Sequence, residues 1–497
     1  MLNFKHFFFD KIKTYCIIYK ERSDFMNLPN LIEARKRSKD KVIKELYRQN
    51  INAKGIGVGK TYHVKTYGCQ MNEHDSENIK ALLEEVGFTE VFNYEDADLV
   101  LLNTCSIREN AHNKAFGMLG RLKHLKESKP DLVIGLCGCM AQEEGVVDEI
   151  LKKYKYINFV FGTHNIDHLP TLLLENFNKG KQVIEVYSSE GNIVEDIPVK
   201  RENKFKAYVN IIYGCDKFCT YCIVPFTRGK QRSRYPEDIL REVRGLVRDG
   251  YKEVTLLGQN VNAYGKDLDI NYTMENLLED VSKTGIPRIR FVTSHPWDFT
   301  DKMIDVISKY NNIMPYIHLP VQSGSSRILK LMGRRYTKEE YLTLFHKIRE
   351  KMPHCSISTD IIVGFPGEEE KDFNETLDLV NECKFDNAFS FIYSPREGTA
   401  ASRLVDNISL EEKEKRLYKL NEVLNKYFKE SNDKLLGCVL PVLVEGKNEK
   451  GKLFGYTDTN KLINFDGDIS LVGQIVDVRV IDSKTWSLDG ELDEGNK

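Results

Sequence analysis

The chain has no surplus of either charge: 72 Lys and Arg stand against 74 Asp and Glu, a formal net charge of -2. That excludes a uniformly basic nucleic-acid binder and confines any such contact to local basic patches. It also lacks a long apolar run near its start. Residues 4–19 are broken by Lys5, Asp10, Lys11 and Lys13, which fits neither a signal peptide nor a membrane span; Met26 is a second candidate start. With no secretory signal, the expected location is the cytoplasm, with no membrane partner, where thiols stay reduced. The eleven cysteines are odd in number, so complete disulfide pairing fails as well. Metal ligation or burial must account for them. A complete phosphate-binding loop is missing too. Gly55-Ile-Gly-Val-Gly-Lys-Thr61 approaches G-x-x-x-x-G-K-[ST], but position 54 is Lys54 and no apolar strand precedes it, so the segment reads as a flexible glycine-rich linker.

What is present is ordinary for a globular protein: 41% hydrophobic and 29% charged residues over 497 positions, enough for two or three domains. Residues 1–60 are polar and basic and read as an N-terminal extension, with a solvated helix face expected over 35–41. From residue 61, strand-like runs at 62–67, 98–103, 132–136 and 157–161 alternate with helix-like stretches such as 73–86 and 142–154. That alternation predicts an α/β domain built on an open parallel sheet over 61–190. A second alternating series has runs at 206–213, 253–257, 289–292, 316–319, 356–363 and 388–393. It predicts a partial (β/α) barrel over 201–434, ended by a helix at 410–435. Short runs at 438–444, 451–457, 462–465 and 474–481, punctuated by glycine, predict a small all-β barrel over 435–492.

The strongest chemical signal is Gly214-Cys215-Asp-Lys-Phe-Cys219-Thr-Tyr-Cys222, a C-x-x-x-C-x-x-C triplet directly after the first strand of the second series. Three thiolates in eight residues can wrap three corners of a cubic 4Fe-4S cluster and leave the fourth iron open to a small chelating ligand. A structural zinc site asks for four protein ligands, and no fourth cysteine or histidine lies close by.

A second set is scattered. Cys69 lies in Thr66-Tyr-Gly-Cys-Gln-Met-Asn-Glu73, Cys105 in Asn103-Thr-Cys-Ser-Ile-Arg108, and Cys139 in Gly138-Cys-Met-Ala-Gln142. Each falls just past the C-terminal end of a predicted strand, the edge at which ligands of open parallel sheets gather. By pattern alone these three either converge on a cluster or are merely buried. Cys137 continues the apolar run 132–136 and is expected in the strand as a small hydrophobe. Cys139 follows Gly138, where the backbone can turn sharply and approach a bulky group.

These blocks resemble the methylthiotransferase family of radical S-adenosylmethionine (SAM) enzymes. The likeness extends to Ile223-Val-Pro-Phe-Thr-Arg-Gly-Lys230, Leu257-Gly-Gln-Asn-Val-Asn262, Leu319-Pro-Val-Gln-Ser-Gly324 and Val363-Gly-Phe-Pro-Gly367. The C-terminal barrel, with Thr457-Asp-Thr-Asn-Lys461, resembles the family's TRAM RNA-binding domain, and the match runs from about residue 61 to 490. The resemblance implies two 4Fe-4S clusters. Cys215, Cys219 and Cys222 would hold the one that binds SAM, with Tyr221 near the adenine, and Cys69, Cys105 and Cys139 would hold an auxiliary one. It implies SAM as both methyl donor and source of a 5′-deoxyadenosyl radical, which removes hydrogen from carbon 2 of an adenine. That C–H has no useful acidity, so general base catalysis has no handle on it.

Within the family the likeness is to members acting on N(6)-dimethylallyladenosine at position 37 of tRNA, in the anticodon loop. The alternatives are members acting on threonylcarbamoyladenosine or on an aspartate of a ribosomal protein; outside it, the alternative is an iron–sulfur RNA-binding sensor without turnover. The implied partners are tRNA, an electron-donor protein and a sulfur donor the sequence does not name, with the chain a monomer. Lys230, Arg232 and Arg234 follow the cluster loop and are candidates for either phosphate contacts or a solvated turn.

Overall fold

The computed structural model describes residues 43–106, 109–188 and 192–493; the helix face expected over 35–41 lies outside them. Two compact units emerge. Among the described residues, the first comprises those up to Glu202 with Tyr213–Asp216 and Cys222–Arg232, and the second Asn203–Ile212, Lys217–Tyr221 and those from Ser233 on.

In the first unit, β1 (Lys44–Leu46) precedes β2 (Thr61–Tyr67), β3 (Thr89–Glu90), β4 (Leu99–Thr104), β5 (Val133–Gly138), β6 (Phe159–Phe161), β7 (Val183–Glu185) and β8 (Ile193–Glu195). The predicted open parallel sheet is present with six strands in the order β3-β2-β4-β5-β6-β7. Strand alternation sorts its side chains onto two faces. Leu99 and Leu101 pack with Ile79, Leu82 and Leu83 of the helix Gln70–Glu85. Val100 and Leu102 pack with Ala115, Met118 and Leu119 of the helix Glu109–Ser128 on the opposite face. Strands buried on both sides read as continuous apolar runs, which is why β4 and β5 were legible.

Two expectations for the extension are corrected. Lys44–Leu46 pairs in parallel with Ile193–Glu195, so this part belongs to the first unit. The supposed flexible linker is a packed turn. Gly57 N–H donates to the Val86 carbonyl at 3.0 Å, and a Cβ on Gly57 would stand 2.1 Å from the Phe88 ring. Gly57 there serves close packing, while Gly55 and Gly59 supply positive φ, 83° and 77°.

The second unit carries six parallel strands as two three-stranded sheets. One orders Arg288–Phe291, Glu253–Leu257 and Lys206–Asn210; the other orders Tyr316–His318, Ser356–Val363 and Asn387–Ile392. An Ile289–Ile313 bridge adjoins the first sheet. The strands and their covering helices form one apolar core, as the predicted partial barrel requires.

The C-terminal barrel is closed by five strands, Val439–Lys447, Leu453–Thr457, Leu462–Phe465, Leu488–Leu492 and Ile475–Ser483 in spatial order. Leu488–Leu492 escaped the sequence pattern because it carries Asp489, Gly490 and Glu491. The barrel docks at the N-terminal ends of the core strands. Arg288 donates to the Thr457 carbonyl at 2.7 Å, and Arg290 to the Thr457 and Asp458 carbonyls at 2.6 and 3.0 Å. Glu253 sits between both guanidinium groups; burial opposes its charge, but Arg290, Lys206 and Arg288 hold its pKa below the usual value. Among the described residues no helix is long and apolar enough to cross a membrane.

Candidate metal centres

The chain leaves β2 for β3 on one side and returns to β4 on the other, so the sheet reverses direction between β2 and β4. At such a switch point the loops part and leave a crevice at the C-terminal strand edge. Cys69 lies two residues past β2, and Cys105 and Cys139 directly follow β4 and β5. These strands are consecutive neighbours, about 4.8 Å apart, so the three ends span roughly 10 Å.

Cys69 is also the N-cap of the helix Gln70–Glu85, where the helix dipole favours a thiolate. A hydrogen bond from Cys105, helped by Arg228 and the backbone N–H groups of Asn72 and Met71, pulls its pKa down to about 6 against burial. Burial pushes Cys139 up, with Arg228 opposing. Behind the sulfurs lies a pair of asparagines. Asn72 Oδ1 accepts from the Cys69 thiol at 3.3 Å, Asn72 Nδ2 donates to Asn103 Oδ1 at 3.1 Å, and Asn103 donates to Ser76 Oγ at 2.9 Å. Gly138 has φ 93° and ψ -165°, a region only glycine tolerates. A Cβ there would lie 2.4 Å from both Asn103 Oδ1 and the Thr104 carbonyl. Its smallness therefore lets β5 lie against β4 at the point where Cys139 emerges.

Arg228, 4% exposed, donates from Nη2 to Asp75 Oδ2 at 2.6 Å and from Nε to Cys139 Sγ at 3.2 Å. Arg228, Asp75, Asn72 and Asn103 are site residues that the sequence reading did not single out. Asn72 could have been found, since it stands three residues after Cys69 in a capping-box spacing, and Asn103 lies two residues before Cys105. Asp75 and Arg228 have no such local tie and are brought to the cysteines only by the fold.

The second triad is carried by one short stretch, and its spacing is a property of the sequence itself. Gly214 has φ 69°, and a Cβ on it would meet the Lys230 carbonyl at 2.1 Å. The Cys215 N–H donates to the Gly229 carbonyl at 3.2 Å. Cys219 is buried and accepts from Arg334 Nη1 at 3.5 Å, while Arg334 Nη2 is tied to the Pro320 carbonyl at 2.9 Å. Tyr221 packs against an apolar group of Ile328, Met332, Phe365, Tyr393 and Ala401.

Among the described residues no three His, Cys, Asp or Glu side chains are gathered as a site for a single metal ion. A four-iron cube sets its protein ligands farther apart than one ion does, and all-cysteine donors are what it takes. Cys69, Cys105 and Cys139 fit a cluster in donor type and in lying at three neighbouring strand ends, with a lowered thiol pKa at Cys69 and a hydrogen-bond donor on Cys139. Outside the two triads, Cys137 and Cys355 do not. Cys137 lies inside β5 in an apolar cluster, and burial raises its pKa strongly. Burial likewise pushes Cys355 up to about 12.

Arg232 and Arg234 form neither a solvated turn nor a free phosphate contact. Both are buried, Arg232 donating to the Arg228 carbonyl at 3.0 Å and Arg234 to the Asn210 carbonyl at 2.7 Å. On the sheet face turned away from the helices, Phe389 and Phe391 are 49% and 45% exposed, beside His318 and Asp360.

Six parallel strands with a C-x-x-x-C-x-x-C loop after the first define a radical SAM protein, and residues 209–380 match the Radical SAM superfamily. The Uncharacterized protein family UPF0004 matches 61–162 and the TRAM domain 433–492. The fold is shared with the radical S-adenosylmethionine methyltransferase TsrM from Kitasatospora setae, at TM-score 0.50 and 13% identity over 69% of this chain and 77% of that one. The tRNA-2-methylthio-N(6)-dimethylallyladenosine synthase of Staphylococcus epidermidis is 52% identical over 469 residues, 93% of this chain and 91% of that protein. Those of Anoxybacillus flavithermus and Staphylococcus aureus are 52% and 53% identical over 94% and 93% of this chain, and 89% and 91% of their own. The chain belongs to this family of synthases.

Proposed function

We propose that the chain adds a methylthio group to carbon 2 of N(6)-dimethylallyladenosine at position 37 of tRNA. The observation that carries this reading is a pair of separate cysteine triads on one chain of that family, one on a sheet edge and one in the loop of a partial barrel. Residues 61–190 would hold the auxiliary 4Fe-4S cluster through Cys69, Cys105 and Cys139. Residues 201–434 would hold the SAM-binding 4Fe-4S cluster through Cys215, Cys219 and Cys222, and residues 435–492 would grip tRNA. When bound, the clusters and SAM supply the radical and the sulfur and methyl groups that acid–base side chains cannot.

The protein's own part is placement. Asn72, held by Asn103, accepts from the Cys69 N–H and so fixes the backbone of one ligand cysteine, and Arg228 and Arg334 each donate to the sulfur of another. Tyr221 would flank the adenine of SAM. Phe389 and Phe391 offer flat apolar surface on which an unstacked, prenylated base can lie, as single-stranded RNA bases do on aromatic side chains. An electron-donor protein and a sulfur donor complete the system, and the working form is a monomer.

Anaerobically reconstituted protein is expected to hold about eight iron and eight sulfide per chain, to convert SAM to 5′-deoxyadenosine when reduced, and to methylthiolate prenylated tRNA. Mass spectrometry of tRNA nucleosides reads the last step. Product on threonylcarbamoyladenosine but not on the prenylated base would overturn the substrate, and SAM cleavage without any nucleoside product would overturn the reaction.

A further inference from the structure

Arg228 is an unusual residue to bury. Removing an Arg–Asp pair from water costs several kcal/mol per ion, and apolar residues of similar volume often serve packing as well or better. Packing therefore does not call for Arg228 and Asp75. What the pair supplies is direction: Asp75 on the helix after Cys69 fixes the guanidinium so that Nε–H points at Cys139 Sγ, 3.2 Å away. The backbone on either side is held as firmly. The Thr227 carbonyl accepts from Thr163 Oγ1 at 2.6 Å, the Arg228 carbonyl from Arg232 at 3.0 Å, and the Gly229 carbonyl from the Cys215 N–H at 3.2 Å. One dipeptide thus bonds by its side chain to a cysteine of the first triad and by its backbone to a cysteine of the second.

We propose that Arg228 is a positioning residue for the auxiliary cluster, setting its reduction potential through Cys139 and tying it through Gly229 to the loop of the SAM-binding cluster. The inference rests on the assignment of Cys139 as a cluster ligand. An N–H donated to a ligand sulfur and a fixed positive charge beside it both favour the more negative, reduced cluster, so each raises the potential. Asp75 takes the part that outer partners take at other metal sites, orienting the group that touches the ligand.

The test is redox titration of the reconstituted full chain followed by electron paramagnetic resonance, with dithionite as reductant. The chain carrying C215A, C219A and C222A identifies which signal is auxiliary. The variants are R228K and the double variant R228M/D75N, which leaves no buried carboxylate unpaired. The expected result is a lower auxiliary potential in R228M/D75N and an intermediate one in R228K, at unchanged iron content. Equal potentials in wild type and both variants would overturn the role of Arg228 while leaving the ligand assignment standing. If R228M/D75N fails to hold its auxiliary cluster, R228K decides alone: a lowered potential upholds the inference, an unchanged one ends it. Retention of the auxiliary cluster in C139A would instead remove the ligand assignment on which it rests.

Discussion

Cys215, Cys219 and Cys222 sit within eight residues of one loop, whereas Cys69, Cys105 and Cys139 come from the ends of three neighbouring strands. The loop triad has its spacing set within one stretch, and distant groups only hold that stretch in shape: the Gly229 carbonyl on the Cys215 N–H, the Met332 carbonyl on the Thr220 N–H, and Arg334 on the Cys219 sulfur. The edge triad needs the whole sheet: the order of β2, β4 and β5, the asparagine pair behind the sulfurs, and Gly138 to let β5 lie against β4. A ligand set coded locally survives changes elsewhere in the fold; one assembled by a sheet edge depends on every contact that fixes strand register.

The sharpest way to break that comparison is to remove the loop triad outright. C215A, C219A and C222A together should halve the bound iron and abolish SAM cleavage and product, because the remaining cluster has no loop in a barrel to bind SAM. 5′-Deoxyadenosine formed by this variant would end the assignment of the loop triad. Next in size is Cys139→Ala. It should lose the auxiliary cluster and all methylthio product yet still cleave SAM, so iron analysis and 5′-deoxyadenosine assay separate the two triads within one variant.

Glycines sharpen the contrast further. Gly138→Ala forces a side chain into a glycine-only conformation, at about 1–3 kcal/mol, and into the Asn103 and Thr104 oxygens. It should lower auxiliary iron and leave SAM cleavage intact. Gly214→Ala, clashing with the Lys230 carbonyl, should do the reverse. Equal loss of both clusters in either variant would contradict independent assembly. The smallest effect is expected from Cys137→Ala, which trims a side chain inside the apolar face of β5. Thermal unfolding should show a cost of about 1 kcal/mol, with both clusters retained. Should Cys137→Ala empty the auxiliary site and Cys139→Ala fill it, the two cysteines exchange roles.

Much of the architecture was legible because its signals are local. Val100 and Leu102 against Leu99 and Leu101 is a run apolar on both faces, and such a run between helices is a parallel strand. The closing strand of the C-terminal barrel was not legible, since Leu488 and Leu492 enclose charged residues and a glycine whose room is needed against Arg479 and Val478. The stretch Thr457–Lys461 could be matched to an RNA-binding domain by likeness. In the fold its carbonyls and Lys461 are engaged instead by Arg288, Arg290, the Asp386 carbonyl and Ser431.

By itself the sequence determined the loop triad, the strand–helix alternation and the family, because each is written in residues close along the chain and backbone geometry does the rest. The tertiary structure alone decided that Asp75 and Arg228 meet, that Arg228 points at Cys139 rather than at solvent, that Arg232 and Arg234 are buried, and that Cys137 faces the core while its near neighbour faces the sheet edge. Contacts between residues 153 positions apart leave no periodic trace in a sequence. They arise only when strand order and register bring distant segments to one edge, where the turn at Gly138 takes Cys139 off the strand that keeps Cys137 in the core.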